Sequence, residues 1–235
     1  MFESTKRVLI LGNKPYYNLN LNKIIDSFDV IHRFNMCLPG QNNGTKFGNL
    51  GMCGHMYQNF VRRPLSKKQI IKTYSSDMSP IFLSCWYDFF QENKEKFDSI
   101  YREIVWRGSN GLLRKFGSPH RFSKLLSVGH SAVMRSWAAS NDTYVCGFTL
   151  CDNEIRKTMG EEDEFALVKN QGHGYHSFSD ERDILAWLHN NKKIDASLCM
   201  LEDTEELSLK TNTYNTEPSQ YILDLLKRSR HENTG

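Results

Sequence analysis

The stretch RVLILG at residues 7–12 decides the fold of this chain. Val8 to Leu11 are consecutive apolar residues, and Gly12 ends the run. An apolar run of about four to eight residues that is closed by a turn residue is typical of a strand buried on both faces, as strands of parallel sheets are. We therefore predict a buried parallel strand here, with a turn beginning at Gly12.

Segments with strand and helix patterns alternate after this run. The further predicted strands are 29–35, 55–57, 80–84, 143–148 and 196–201. The predicted helices, from apolar spacings of three and four residues, are 21–28, 88–106, 123–140, 179–190 and 218–229. This alternation predicts an α/β fold in which a parallel sheet carries helices on both faces. We expect a single domain over 1–235, with a polar loop at 202–217.

Composition narrows the class of protein. The 235 residues are 39% hydrophobic and 24% charged, as in ordinary globular domains. A net charge of +3 with scattered basic residues does not favour nucleic acid. No apolar run approaches the ~18 residues of a membrane span, and the N-terminus runs directly into the first strand, which predicts no signal peptide. The six cysteines form no C-x-x-C pair, a pattern that suits a reducing, cytosolic setting.

Asparagines follow three of the predicted strands. Asn13 follows the first strand, Asn35 ends the second after Arg33, and Asn59 follows the third. Ligands of open α/β sheets bind at the carboxyl ends of strands, and amide side chains offer uncharged donors and acceptors there. Such groups suit a sugar, a ribose or a pyrimidine better than a metal ion. The alternative is that all three are ordinary turn residues.

A serine-x-glycine element opens the helix predicted at 123–140. Ser127 can act as its N-cap, and Gly129 lets a ligand approach the backbone closely. Exposed amides at a helix N-terminus attract a carboxylate or a phosphate. A capped helix without any ligand is the alternative.

The loop GHGYHSFSDE at 172–181 carries two histidines and a tyrosine just before a helix. A neutral imidazole is well suited to take a proton from a substrate hydroxyl near neutral pH. The motifs of several other enzyme classes are absent from the sequence. The chain has no Asp-x-Asp pair for a metal-bound nucleotide diphosphate and no G-x-S-x-G elbow of a hydrolase. It also has no G-x-G-x-x-G fingerprint for a dinucleotide and no Walker loop. The acidic run at 161–164 is most simply a solvated loop, because neighbouring carboxylates cannot all converge on one ion.

Together, these elements resemble the animal-type sialyltransferases. Residues 9–13 and 25–35 resemble their long donor-binding motif. Residues 127–129, followed by a helix and by 145–148, resemble the short motif, in which Ser-x-Gly leads to a strand ending in Gly-Phe. Residues 176–181 fit the very short motif of a histidine, four residues and a glutamate. A bacterial family from mucosal pathogens shares the Gly-Asn, Arg-x-Asn and His-Ser elements and has a similarly compact size.

The resemblance implies a Rossmann-like, variant GT-A sialyltransferase fold and an inverting, metal-independent transfer of a sialic acid or related 2-keto sugar. The donor is its CMP conjugate, with no cofactor, and the acceptor is a glycan or glycolipid hydroxyl. A bacterial protein of this kind works in the cytoplasm, peripheral to the inner membrane, in lipopolysaccharide or capsule biosynthesis. Acceptor pockets would come from loops at 62–79 and 107–121, and 151–172 would be a lid over the donor.

The resemblance also assigns roles to residues. His176 is the base for the acceptor hydroxyl, oriented by Glu181 or by backbone, and His173 and Tyr175 donate to the departing phosphate. The donor-binding residues are expected at the strand ends and at the helix N-terminus, and they are Gly12, Asn13, Arg33, Asn35, Asn59, Ser127 and Gly129.

The chain departs from the animal family at three places. The cysteine before Gly-Asn is missing, since that region reads Lys6-Arg7-Val8. The separate His-Tyr element is absent unless His173 and Tyr175 are a compressed form of it. His130 occupies a position that is apolar in the family. The alternatives are a Kdo transferase for surface polysaccharide, which also uses a CMP-linked 2-keto acid, and a non-catalytic nucleotide-binding module.

Overall fold

The computed structural model describes residues 6–12, 14, 16, 18–34, 42–46, 49–51, 103–148, 176–202, 204–205, 208–209 and 214–231. The predicted strands at 55–57 and 80–84 and the predicted lid at 151–172 lie outside these ranges.

Four parallel strands form the sheet in the described part of the chain. They are β1 (Arg7–Leu11), β2 (Val30–Phe34), β3 (Asn49–Gly51) and β4 (Asp142–Cys146), in the order β3-β2-β1-β4. In the register of the central pairs, Leu9 lies opposite Ile31 on one side and Tyr144 on the other. The predicted first and second strands and the strand at 143–148 are confirmed.

The strand predicted at 196–201 is wrong. In this part of the chain only Asp195 pairs with β4. The Val145 N–H donates to the Asp195 carbonyl at 2.8 Å, and the Asp195 N–H donates to the Thr143 carbonyl at 2.8 Å. Ser197–Met200 then forms a 3₁₀ turn. The Asp195 carboxylate accepts from the Ser197 N–H at 2.9 Å and from its hydroxyl at 2.5 Å, and this local bonding turns the chain away from the sheet.

The helices are α1 (Asn22–Asp26), α2 (103–115), α3 (Val128–Ala138), α4 (Phe178–Asn190) and α5 (Gln220–His231). They confirm four of the predicted helices with shifted ends. Of the helix predicted at 88–106, residues 88–102 lie outside the described residues, and α2 continues past the predicted end. The predicted acceptor loop at 107–121 is therefore wrong over 107–115, which are helical. Among the described helices, none is long and apolar enough to cross a membrane. The helix predicted from residue 123 begins only at Val128, because Ser127 is its N-cap. Residues 123, 125 and 127 bond instead to residues at the start of α4.

The two faces of the sheet are covered by different helices. On one face Val8, Ile10 and Val145 share a buried core with residues of α2, α3 and α4. On the other face Leu9, Leu11 and Ile31 share a second core with residues of α1 and α5. The alternation of neighbouring residues between two cores is what a strand buried on both faces produces, so the predicted α/β sheet with helices on both faces is confirmed.

Backbones touch where β1 and β4 end. The Gly12 N–H donates to the Cys146 carbonyl at 2.8 Å, and the Lys14 N–H donates to the Gly147 carbonyl at 3.0 Å. A Cβ atom on Gly12 would lie 2.5 Å from the Gly147 carbonyl oxygen. Only glycine allows this approach. The strand order among the described strands also reverses between β1 and β4, and in open α/β sheets ligands bind in the crevice at such a point.

We expect Gly12→Ala to lower the free energy of unfolding by about 1–3 kcal/mol, because the added methyl group meets backbone that cannot rotate away. Gly111→Ala is the matched control, since a Cβ on this α2 residue would meet no atom within 4 Å beyond its chain neighbours and the backbone of its own helix. That control should instead gain about 0.5–1 kcal/mol from the helix preference of alanine. Urea denaturation followed by circular dichroism measures both, and equal changes would contradict the steric account.

Candidate functional site

The structure describes six of the residues that the sequence assigns to the site. They are Gly12, Arg33, Ser127, Gly129, His176 and Glu181. Asn13, Asn35, Asn59, His173 and Tyr175 lie outside the described residues, and their roles stay predictions.

Two glycines lie against the ring of Phe148 at the carboxyl end of the sheet, and a third precedes it in the chain. A Cβ on Gly12 would lie 2.8 Å from Phe148 Cδ2, and one on Gly129 would lie 2.8 Å from its Cζ. Gly147, with φ +72°, supplies the turn that brings Phe148 there. The end of β1, the end of β4 and the start of α3 therefore converge. The space at Gly129, predicted for a ligand, holds the Phe148 ring in this structure.

The first turns of α3 and α4 are joined by a buried carboxylate. Glu181 is 2% exposed, and its Oε1 accepts from the Ser127 N–H at 2.6 Å. Its Oε2 lies 2.9 Å from Nδ1 of His130, which is 7% exposed. The Nε2 of His130 donates to the Glu181 main-chain carbonyl at 3.1 Å. The Ser127 hydroxyl lies 3.2 Å from the same Nδ1, so the ring contacts Glu181 at two places and the N-cap of α3 at a third.

The surroundings of Glu181 favour its charged form. Burial alone would raise the pKa of this carboxyl, but the charge and hydrogen bond of His130, the Ser127 N–H and the nearby His176 together hold its pKa below the ordinary value of 4.5. This carboxylate bonds to the N-cap residue of α3, so it lies at a helix N-terminus, where the helix dipole favours an anion. The sequence predicts an anionic ligand at this N-terminus, and Glu181 already supplies a negative charge there.

The segment 123–127 is held at three points by residues at the start of α4. Asp180 accepts from both the N–H of Ser123, at 2.8 Å, and its hydroxyl, at 2.5 Å. His176 donates from Nδ1 to the Leu125 carbonyl at 2.8 Å, and Glu181 accepts from Ser127. The hydroxyl of Ser127 accepts from the His130 N–H, so the predicted N-cap is confirmed. These contacts explain why residues 123–127 do not join the helix.

His176 is half-buried just before the Ser177 N-cap of α4. The Leu125 carbonyl can only accept, so Nδ1 of His176 carries a proton and, in the neutral ring, Nε2 is the atom with a lone pair. Of the two orienting groups predicted for this histidine, backbone is the one that bonds to its ring. Glu181 touches Ser127 and His130 instead.

Arg33 points into the other side of the sheet. Its side chain is fully buried, and its guanidinium donates to the carbonyls of Asn43 at 2.9 Å and Lys46 at 2.8 Å. These bonds hold the loop that returns after β2. The structure thus gives Arg33 a part in holding this loop, and its assignment to the donor stays a prediction.

Three residues that had no predicted role in the site also form this corner: His130, Asp180 and Phe148. A signal existed for the first two, because His130 and Asp180 each stand three residues after an N-cap serine, in the first turn of a helix. Their partners are 51 and 57 residues away in sequence, which no local pattern reveals.

An open groove of about 720 Å³ lies elsewhere, beside the amino-terminal half of β4. It is lined by parts of 141–144, 189–195 and 215–220 and contains none of the residues predicted for the site. Within the described ranges no group of three or more His, Cys, Asp or Glu side chains could hold a metal ion. Comparison with models of protein families, with curated proteins and with solved structures finds no match for this chain.

Proposed function

We propose that this protein is an inverting, metal-independent glycosyltransferase that moves a sialic acid or related 2-keto sugar from its CMP conjugate to a glycan hydroxyl. The observation that carries the proposal is the geometry of His176. Its Nδ1 is fixed on the Leu125 carbonyl at 2.8 Å, which leaves Nε2 as the basic atom of the neutral ring. A general base needs this combination of a held ring and an available lone pair.

In the proposed reaction, Nε2 of His176 takes the proton of the acceptor hydroxyl as its oxygen attacks the anomeric carbon of the sugar. The bond from that carbon to the phosphate oxygen breaks on the opposite face, and CMP leaves with the bonding electrons. The new glycosidic bond forms with inversion. Charge develops on a single phosphate, which a few neutral or cationic donors can stabilise. His173 and Tyr175 are the proposed donors.

The fold supports a nucleotide at the same corner. The described strand order reverses between β1 and β4, the arrangement of Rossmann-like sheets, and the variant GT-A sialyltransferase fold is the finer proposal. Gly12 lies at this reversal, so Asn13 follows directly and, with Asn35 and Asn59, is proposed to bind the donor. Ser127 and Gly129 contact Glu181 and Phe148, so a donor group binding at this N-terminus would have to displace Phe148 or bind beside it.

A thermal-shift panel tests the donor class. CMP and CMP-sialic acid should stabilise the protein, by about 2.7 kcal/mol at a ligand concentration one hundred times Kd, whereas UDP- and GDP-sugars should not. CMP-Kdo is included in the panel because it separates the Kdo alternative. Selective stabilisation by UDP-sugars would contradict the proposal.

A further inference from the structure

We propose that His130 is a positioning residue for His176 and acts on it through Glu181. The inference rests on the proposed function, in which His176 is the base. His130 itself touches neither substrate nor base in this account. Its role is to fix Glu181, which in turn fixes the loop that orients His176.

The first step is that the His130 ring bonds to Glu181 at two places. Both nitrogens of His130 bond to Glu181, Nδ1 to the side chain at 2.9 Å and Nε2 to the main chain at 3.1 Å. The ring also packs edge-on against Phe148 at 5.2 Å between centroids. His130 therefore fixes the carboxylate and the backbone of Glu181 together. A buried pair bonded at both ends has little freedom to rearrange.

The second step leads from Glu181 to the base. The carboxylate of Glu181 accepts from the Ser127 N–H at 2.6 Å. The carbonyl that accepts the hydrogen bond from His176 Nδ1 belongs to Leu125, two residues before Ser127. Fixing Ser127 thus fixes the position of that carbonyl. The carbonyl in turn selects the tautomer of His176 and the direction of its Nε2.

This chain of contacts matters for rate, because a reacting group displaced by about 1 Å can cost on the order of 100-fold. Without the pair, Leu125 could move relative to α4, and His176 could populate both neutral tautomers. The transfer rate would therefore fall.

The test is a double variant, His130→Leu with Glu181→Met. Replacing a buried ion pair by apolar residues of similar volume is often neutral for stability, so the fold should survive. We expect kcat for CMP release from CMP-sialic acid to fall about 10- to 100-fold. In ¹⁵N-histidine NMR spectra, the His176 signals should change from the Nδ1–H tautomer alone to a mixture of tautomers.

Two single variants complete the test. Glu181→Gln should keep the wild-type NMR signature, because an amide oxygen still accepts from Ser127 and the amide N–H can donate to a neutral His130. His130→Gln keeps one of the two bonds to Glu181, so kcat should fall less than in the double variant. If the double variant does not fold, His130→Gln alone tests the inference. Ser136→Ala is the control for plain destabilisation, because its hydroxyl bonds to Thr143 at 2.7 Å, towards the other end of α3.

A folded double variant with wild-type kcat and an unchanged His176 signature would overturn the inference. So would a Ser136→Ala variant that changes the signature as much as the double variant does. The NMR readout needs no activity. If the wild type fails to release CMP, the proposed function fails, while the positioning of His176 by the pair is still decided by the spectra.

Discussion

His176→Gln should lower kcat for CMP release from CMP-sialic acid, with lactose as the test acceptor, by about 100- to 10,000-fold. Glutamine retains an N–H that can donate to the Leu125 carbonyl, as Nδ1 does now at 2.8 Å. It has no basic nitrogen, so it cannot take the proton of the acceptor hydroxyl. The substitution therefore removes the proposed chemistry while keeping the contact that orders the loop.

His189→Gln is the matched control for this prediction. His189 lies at the other end of α4 from His176, and its Nε2 bonds to the Glu217 carbonyl at 2.7 Å. Its substitution should leave kcat within about twofold. If His176→Gln turns over like the wild type, the base assignment is wrong. A non-catalytic nucleotide-binding module would bind CMP and show no turnover in any variant.

Glu181→Ala should lower the free energy of unfolding by about 3–5 kcal/mol, because removing one member of a buried charged pair leaves the other uncompensated. Here the group left behind is His130, 7% exposed, together with the N–H of Ser127. Asp183→Ala is the matched control. Asp183 lies on the same helix, is half-buried, and should change stability by no more than about 0.5 kcal/mol. Urea denaturation at pH 7 measures both.

The pH dependence of this effect has a definite sign. The folded pKa of Glu181 is held below its ordinary value of 4.5, so the unfolded chain takes up the proton more readily than the folded chain. The carboxylate therefore adds stability above pH 4.5, and this contribution is lost as pH falls through the folded pKa. The difference between wild type and Glu181→Ala should narrow below pH 4.5. A difference that stays constant from pH 7 to pH 3 would show that Glu181 contributes by packing alone.

The parts of the fold that were predictable from sequence are those set by local pattern. The apolar run at Arg7–Leu11 and its glycine gave a strand with alternating residues in two cores, because burial on both faces requires apolar side chains at every position. The strand predicted at 196–201 is the counterexample. Its apolar residues are buried as expected, but Asp195 and Ser197 form a local turn that competes with sheet pairing.

The candidate site was predictable only in part, for a related reason. Ser127 as a cap and His176 before a helix follow from local chemistry. The pairing of His130 with Glu181 joins residues 51 apart in sequence, and it depends on two helix starts meeting at one end of the sheet. Arg33 was predicted as a ligand contact from its place near the end of a strand, and that assignment stays a prediction. The bonds of its guanidinium to loop carbonyls follow from no local pattern.

The second core also bears on how this chain folds as it is synthesised. Its members include Leu9 and Leu11 on the first strand and Ile222, Leu225 and Leu226 on α5. The Arg7 guanidinium and the Tyr221 hydroxyl, 3.0 Å apart, bridge 214 residues of sequence. At about 5–20 residues per second, a ribosome needs tens of seconds to supply α5 after the first strand. Throughout that interval one apolar face of the sheet lacks its final cover, and chaperones that bind exposed hydrophobic segments would have their target on this face.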